Sequence, residues 1–84
     1  MSKTGKLLDK ARRNPGGLSF DELKTLLTHS EWVFDHQTGS HEIWYSYGRR
    51  CLSIQPAGNG KAKAYQVKQF LKLLEEEEND DRPV

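Results

Sequence analysis

The fold of this chain is decided by the stretch WVFDHQTGSHEIWYSYGRRCLSIQ, residues 32–55. Three runs rich in aromatic and β-branched residues, 32–36, 41–46 and 50–55, are separated by short connectors that contain glycine. Runs of this kind, joined at hairpin length, predict a three-stranded antiparallel meander. The buried face of the middle strand stays open, because the Ile43/Tyr45 face and the Glu42/Trp44 face each carry an aromatic ring.

Two helices are predicted before the strands. Apolar residues recur at helical spacing in residues 3–13, and the stretch NPGG at 14–17 stops that segment. Ser19 and Glu22 then match the S-x-x-E capping box that begins a helix. We expect this second helix to end near residues 28–29.

A third helix follows the break at residues 56–60. It is predicted to start at about Ala64, and its core stripe has the i, i+3, i+4, i+7 spacing, with Val67, Phe70, Leu71 and Leu74. We expect it to fray from Glu75 onward, because the helix dipole disfavours acids at a C-terminus. The order α-α-β-β-β-α is typical of an α+β fold with the helices on one face of a small sheet.

Length and composition limit the classes of protein. The 84 residues form one predicted domain, 1–84. No apolar run is long enough to span a membrane, and the N-terminus lacks the apolar segment of a signal peptide. Cys51 is the single cysteine, which excludes an internal disulfide framework. The sequence therefore predicts a cytoplasmic protein, and no motif indicates a metal or a cofactor.

The charges are distributed unevenly. Residues 75–82 contain six acids and one arginine, whereas residues 1–74 contain twelve Lys or Arg and six acids. The first 74 residues are thus basic, which favours an anionic partner such as nucleic acid. The alternative is a basic domain whose acidic tail only maintains solubility.

Gly39-Ser40-His41 is the motif that carries chemistry. It places an imidazole at the start of a predicted strand, and imidazole is the side chain best suited to proton transfer near neutral pH. Gly39 is expected to supply a positive φ at the turn. Ser40 either caps this turn or offers its hydroxyl to a phosphate. On the residues alone, His41 is either a catalytic group or a surface histidine beside a turn.

The ordered combination of these elements resembles the HicA toxins of bacterial toxin–antitoxin modules. It comprises a short helix, an aromatic strand, Gly39-Ser40-His41 opening the next strand, a third strand, and a lysine-rich turn into YQVKQFL at 65–71. The resemblance covers roughly residues 18–76. Residues 1–17 look like an N-terminal helical extension, and 77–84 form an acidic tail outside the match.

The resemblance implies a fold like the double-stranded-RNA-binding domain, with an α-β-β-β-α core. It also implies a ribosome-independent mRNA endonuclease that a HicB-like antitoxin holds inactive, and the active-site histidine of the family falls on His41. Many members have a second histidine where this chain has Glu42. Many also have a histidine after the third strand, where this chain has Gln55-Pro56-Ala57.

A metal-free ribonuclease needs a base for the ribose 2′-hydroxyl, and His41 is the candidate. A four-residue loop at 37–40 would place His36 directly opposite His41 on the same face of the hairpin, with the two Cβ atoms about 5 Å apart. His36 is therefore a candidate second acid or base, and a plain surface histidine is the alternative.

Lysines near the last helix are candidate RNA contacts. Lys61 and Lys63 precede this helix and Lys68 lies on it, where they could bind phosphates, although solvated surface charge is an equal alternative. Two other functions stay open. One is a non-catalytic double-stranded-RNA-binding module, and the other is a protein-interaction domain whose main ligand is the antitoxin.

Overall fold

The computed structural model describes the backbone of residues 3–80 and the side chains of residues 5–76. Three α-helices, three strands and one short 3₁₀ turn follow in the order α1 (Lys3–Arg13), 3₁₀ turn (Pro15–Gly17), α2 (Phe20–His29), β1 (Val33–Thr38), β2 (His41–Tyr45), β3 (Cys51–Ile54) and α3 (Ala64–Asp80). The predicted α+β class is confirmed, with an α-β-β-β-α core and an extra N-terminal helix.

The sheet is an antiparallel meander with the strand order β1-β2-β3. Trp44, Leu52 and Ile54 point into the core from β2 and β3. The sequence did not determine which face of β2 is buried, and the structure shows that it is the Trp44 face. Tyr45 is exposed on the other side. The helices supply the rest of the buried core, including Ala11, Leu23, Leu26, Leu27, Val67 and Phe70.

The capping box at the start of α2 is present as predicted. The Glu22 backbone N–H donates to Ser19 Oγ at 3.0 Å, and the Ser19 N–H donates to Glu22 Oε1 at 2.9 Å. Lys10 Nζ on α1 lies 3.0 Å from the same carboxylate. Because Ala11 beside it is fully buried, α1 belongs to the same hydrophobic core as the other helices.

The end of α2 explains why β1 starts one residue later than predicted. Glu31 has a positive φ of 67°, and the Trp32 N–H bonds to the Leu27 carbonyl. The Glu31 N–H bonds to the Thr28 carbonyl, which completes a Schellman motif. Trp32 therefore belongs to the helix cap, where its ring packs edge-on against Phe70 in the core.

Helix α3 starts at Ala64 as predicted, but the expected fraying from Glu75 is wrong. The helix continues through Asp80. Arg50 Nη1 lies 3.2 Å from Glu76 Oε1, so an arginine on the β2–β3 connection compensates one of the acids. Glutamate also has a good helix propensity, which outweighs the weak dipole effect. The last part of the predicted acidic tail, residues 81–84, lies outside the described residues.

Candidate active site on the open face of the sheet

The first hairpin has a two-residue loop. Thr38 pairs with His41, so Gly39 and Ser40 alone form the turn, and the predicted four-residue loop is wrong. Gly39 has the expected positive φ, 62°, at the first central position. A two-residue loop with glycine there matches the twist of the strands that it joins. His41 becomes the first residue of β2.

A β-bulge in β1 determines which faces of the sheet Val33 and Phe34 occupy. Phe34 pairs with Trp44 and His36 pairs with Ile43, so Asp35 is an extra residue between two successive pairs. In a regular strand, residues 34 and 36 would share a face. The bulge instead sends Phe34 to the core side, where its ring packs edge-on against Trp44 at 5.9 Å, and Val33 to the side of His36 and His41.

We call the side of the sheet that faces away from the helices the open face. Its residues follow from the strand register and alternate with the buried ones. They lie in three cross-strand rows, which are Thr38 and His41; His36, Ile43 and Ser53; and Val33, Tyr45 and Cys51. Ile43 and Ser53 are half-buried and the other six residues are exposed.

Ser53 holds the imidazole of His41. The Nδ1 atom of His41 lies 3.1 Å from Oγ of Ser53, which is on the neighbouring strand β3. Within the described residues, no hydrogen bond involves the other ring nitrogen, Nε2. The ring is therefore fixed at one nitrogen, and the other is accessible from the open face.

His36 is near His41 but not directly opposite it. The two residues occupy adjacent rows as diagonal neighbours, a geometry that places side chains about 7–8 Å apart rather than about 5 Å. His36 Nδ1 lies 2.6 Å from Asp35 Oδ2. The predicted direct opposition is wrong because the loop has two residues rather than four, which pairs His36 with Ile43. Both imidazoles nonetheless lie on the open face.

Glu42 does not belong to the open face. As the residue after His41, it points to the opposite side of the sheet. Trp44 Nε1 donates to Glu42 Oε1 at 3.2 Å, and Lys24 Nζ lies 3.7 Å from Glu42 Oε2. The carboxylate therefore supports the packing of a core tryptophan and contributes nothing to the surroundings of His41.

The candidate lysines lie outside the open face. Lys61 follows the end of β3 nearest His41, and its Nζ donates to the Gly17 carbonyl at 3.3 Å. Lys63 directly precedes α3, and its carbonyl accepts from the Val67 N–H. Lys68 is exposed on α3, in the helical layer. The structure thus groups His36, His41 and Ser53 on one face and leaves the lysines at its border or behind it.

Ser53 contacts His41 on the open face, and the sequence analysis did not assign it to the site. The alternation of strands β2 and β3 places Ser53, like Tyr45, on the His41 side, so the signal was present once the register was known. Cys51 is exposed and pairs with Tyr45 across the neighbouring strand. Within the described residues, no group of three or more His, Cys, Asp or Glu side chains is placed to bind a metal. No helix in that part of the chain is long and apolar enough to cross a membrane.

Comparison with known proteins identifies the family. The family model described as HicA toxin of bacterial toxin–antitoxin matches residues 20–75, which is two thirds of the chain. No curated protein and no solved structure gives a significant match. The matched range begins with α2 and includes the whole sheet and most of α3. The chain therefore belongs to the HicA family and is the toxin of a toxin–antitoxin module.

Proposed function

We propose that this chain is a ribosome-independent mRNA endoribonuclease that works without metal and uses His41 as its general base. The observation that carries the proposal is the placement of His41. The imidazole is exposed on the open face, and Ser53 holds one of its nitrogens at 3.1 Å. Membership of the HicA family supports an RNA substrate and an antitoxin partner. A HicB-like protein is the proposed antitoxin.

The reaction needs only one base and one acid, because RNA carries its own nucleophile. His41 removes the proton from a ribose 2′-hydroxyl, and the oxygen attacks the adjacent phosphorus. The bond from phosphorus to the 5′-oxygen breaks, and that oxygen takes up a proton. The products are a 2′,3′-cyclic phosphate and a fragment with a 5′-hydroxyl. A positioned base contributes roughly 10² to 10⁴-fold to such a step.

The hydrogen bond to Ser53 selects the nitrogen that acts. When Nδ1–H of His41 donates to Ser53 Oγ, the lone pair lies on Nε2. Nε2 has no hydrogen-bond partner among the described residues, and the His41 side chain is exposed. The base is therefore Nε2, and Ser53 is a positioning residue.

His36 is the proposed general acid. The attacking and leaving oxygens lie on opposite sides of phosphorus, so acid and base must be separated by the width of a phosphate. Diagonal neighbours about 7–8 Å apart leave that space, whereas directly opposed rings would not. Asp35 Oδ2, at 2.6 Å from Nδ1, orients the ring of His36 on the open face.

The phosphates next to the cleaved bond are proposed to contact Ser40, Lys61 and Lys63. Ser40 is exposed beside His41 in the turn, and both lysines follow the end of β3 nearest that turn. Lys68, one turn into α3, is a proposed contact for a more distant phosphate. These cations attract RNA electrostatically without reading its sequence.

Cleavage of RNA in EDTA tests the proposal. We expect wild-type protein to cut single-stranded mRNA and leave cyclic phosphate ends, and His41→Ala to lower the rate by about 10² to 10⁴-fold. His36→Ala should also slow cleavage, because it removes the proposed general acid. His29→Ala is the matched control, because His29 ends α2 in the helical layer. This variant should cleave RNA at the wild-type rate.

Three outcomes would contradict the proposal. Full activity of His41→Ala removes the proposed base, and full activity of His36→Ala removes the proposed acid. RNA binding without cleavage by any of the proteins supports a non-catalytic double-stranded-RNA-binding module instead. Circular dichroism of each variant excludes loss of the fold as the cause of a slower rate.

A further inference from the structure

The open face carries an exposed apolar row whose role the proposed chemistry does not explain. Val33, Tyr45 and Cys51 lie side by side across the three strands. Val33 is 66% exposed and Tyr45 is 40% exposed, although aromatic and branched side chains are usually buried. No described helix covers this row, because the helices pack on the Trp44 side of the sheet. The row is therefore available to a ligand.

Tyr45 lies on the same face and the same strand as His41. The two residues are four positions apart on β2, which corresponds to about 13 Å along a strand. Ile43 lies between them, half-buried, so the surface from the imidazole to the phenol ring is continuous. A ligand that reacts at His41 and extends along β2 must pass over Tyr45.

The phenol ring of Tyr45 is uncharged and lies between two cross-strand neighbours. The pKa of Tyr45 is raised from its usual value, first by its electrostatic interaction and hydrogen bond with the Cys51 side chain, and then by burial and the Asp35 carboxylate. The ring thus stays neutral at physiological pH. Val33 and Cys51 flank it as its cross-strand partners on the adjacent strands.

The charges on this side of the sheet favour bases over phosphates as its ligands. The three rows of the open face contain no Lys or Arg. Cations lie beyond the two ends of β2, with Lys61 and Lys63 near the His41 end and Arg49 on the connection near the Tyr45 end. An RNA strand that places its phosphates near these cations turns its bases toward the sheet.

We propose that Tyr45 is a stacking platform for one unpaired base of the substrate, about 13 Å along β2 from the position of cleavage. The inference rests on the proposed ribonuclease function and specifies its substrate as single-stranded RNA. A base in a duplex is covered on both faces by its neighbours, whereas a base in a single strand can stack on an aromatic ring. Because every base has such a face, Tyr45 contributes affinity and positioning with little sequence preference.

A binding experiment on uncleavable complexes tests the platform. The protein carries His41→Ala so that RNA stays intact, and fluorescence anisotropy measures the affinity for short single-stranded oligonucleotides in which each position in turn lacks its base. One abasic position should weaken binding by about 5- to 150-fold in the protein with Tyr45 and by much less when Tyr45→Ala is added. Tyr45→Phe, which keeps the ring, should behave like the parent protein.

Tyr65→Ala is the matched control, because Tyr65 is 62% exposed but lies on α3 in the helical layer. Its abasic profile should match that of the parent. In otherwise wild-type protein, Tyr45→Ala should raise KM with little change in kcat.

The inference would be overturned if each abasic position lowered the affinity by the same factor in the protein with Tyr45 and in the Tyr45→Ala variant. Tighter binding of double-stranded RNA than of single-stranded RNA would also overturn it. If Tyr45→Ala leaves RNA binding intact but prevents complex formation with a co-expressed HicB-like antitoxin, the row is a protein interface and the inference is wrong. These binding results do not require cleavage, so they can fail or succeed independently of the proposed chemistry.

Discussion

Ser53 and His41 are joined by the hydrogen bond on which the proposed base depends. Their atoms meet because residues on neighbouring strands share the open face. A histidine without this bond rotates freely and presents either nitrogen to the substrate. The serine hydroxyl restricts the ring to one orientation at little cost to the fold, since Ser53 is only half-buried.

Substitution of Ser53 should separate positioning from binding. Ser53→Ala should lower kcat by about 3- to 10-fold, the equivalent of one ordinary hydrogen bond, and leave KM nearly unchanged. Ser53→Thr keeps the hydroxyl and suits a strand, so it should restore most of the rate. Steady-state kinetics on a short RNA measures both constants. An unaltered rate for Ser53→Ala would remove this residue from the mechanism.

At the scale of the element, α2 shows how a helix terminus can connect two parts of the fold. Glu22 closes the capping box with Ser19 and also binds Lys10 on α1. The backbone N–H of Ser19 has the larger effect and the Lys10 ammonium the next, and together they lower the pKa of the Glu22 carboxyl below its usual range. The charged form of Glu22 is therefore preferred in the folded protein.

The lowered pKa has a definite consequence for stability against pH. The stabilisation by ionised Glu22 is fully present above the pKa of the unfolded chain and is lost as the pH falls through the lower pKa of the folded protein. Glu22→Gln keeps a capping-box acceptor without the charge. Near neutral pH it should be less stable than wild type by about 0.5–1 kcal/mol, and the difference should disappear in acid. Urea denaturation at several pH values measures the difference, and a gap that persists in acid would contradict the assignment.

At the scale of the whole molecule, the basic residues and the candidate catalytic histidines lie in different parts of the fold. The imidazoles lie on the open face, whereas the basic residues lie around it and in the helical layer. RNA attraction and RNA cleavage should thus respond to different substitutions. This separation is typical of proteins in which phosphate contacts supply affinity and a few other groups supply the reaction.

The salt dependence of RNA binding tests whether the lysines contact phosphates. In the His41→Ala background, Lys63→Ala and Lys68→Ala should each reduce the slope of log K against log salt by about 0.7, the value for one phosphate contact on a single strand. Lys6→Ala should leave the slope unchanged, because Lys6 lies in the first turn of α1. Lys61 is less suited to the test because its ammonium also bonds to the Gly17 carbonyl. An unchanged slope for Lys63 or Lys68 would identify that lysine as solvated surface charge.

Local signals in the sequence determined the elements of this protein and their order. The capping box of Ser19 and Glu22 places the start of α2, and Gly39 marks a turn that needs a positive φ. Both features act within a few residues, so the sequence was sufficient to predict them. The position of His41 at the start of β2 follows from the same turn.

Only the tertiary structure decided the register of the first hairpin and the face that each side chain occupies. The bulge at Asp35 is a property of two paired strands, and neither strand alone contains a signal for it. It moves Val33 onto the open face beside Tyr45, whereas the two-residue turn places His36 one row from His41. The helices pack on the Trp44 side of the sheet, which leaves Tyr45 and Ser53 on the same face as His41. Side-chain faces depend on pairing and packing between distant segments, and for that reason the composition of the open face could not be predicted from local sequence.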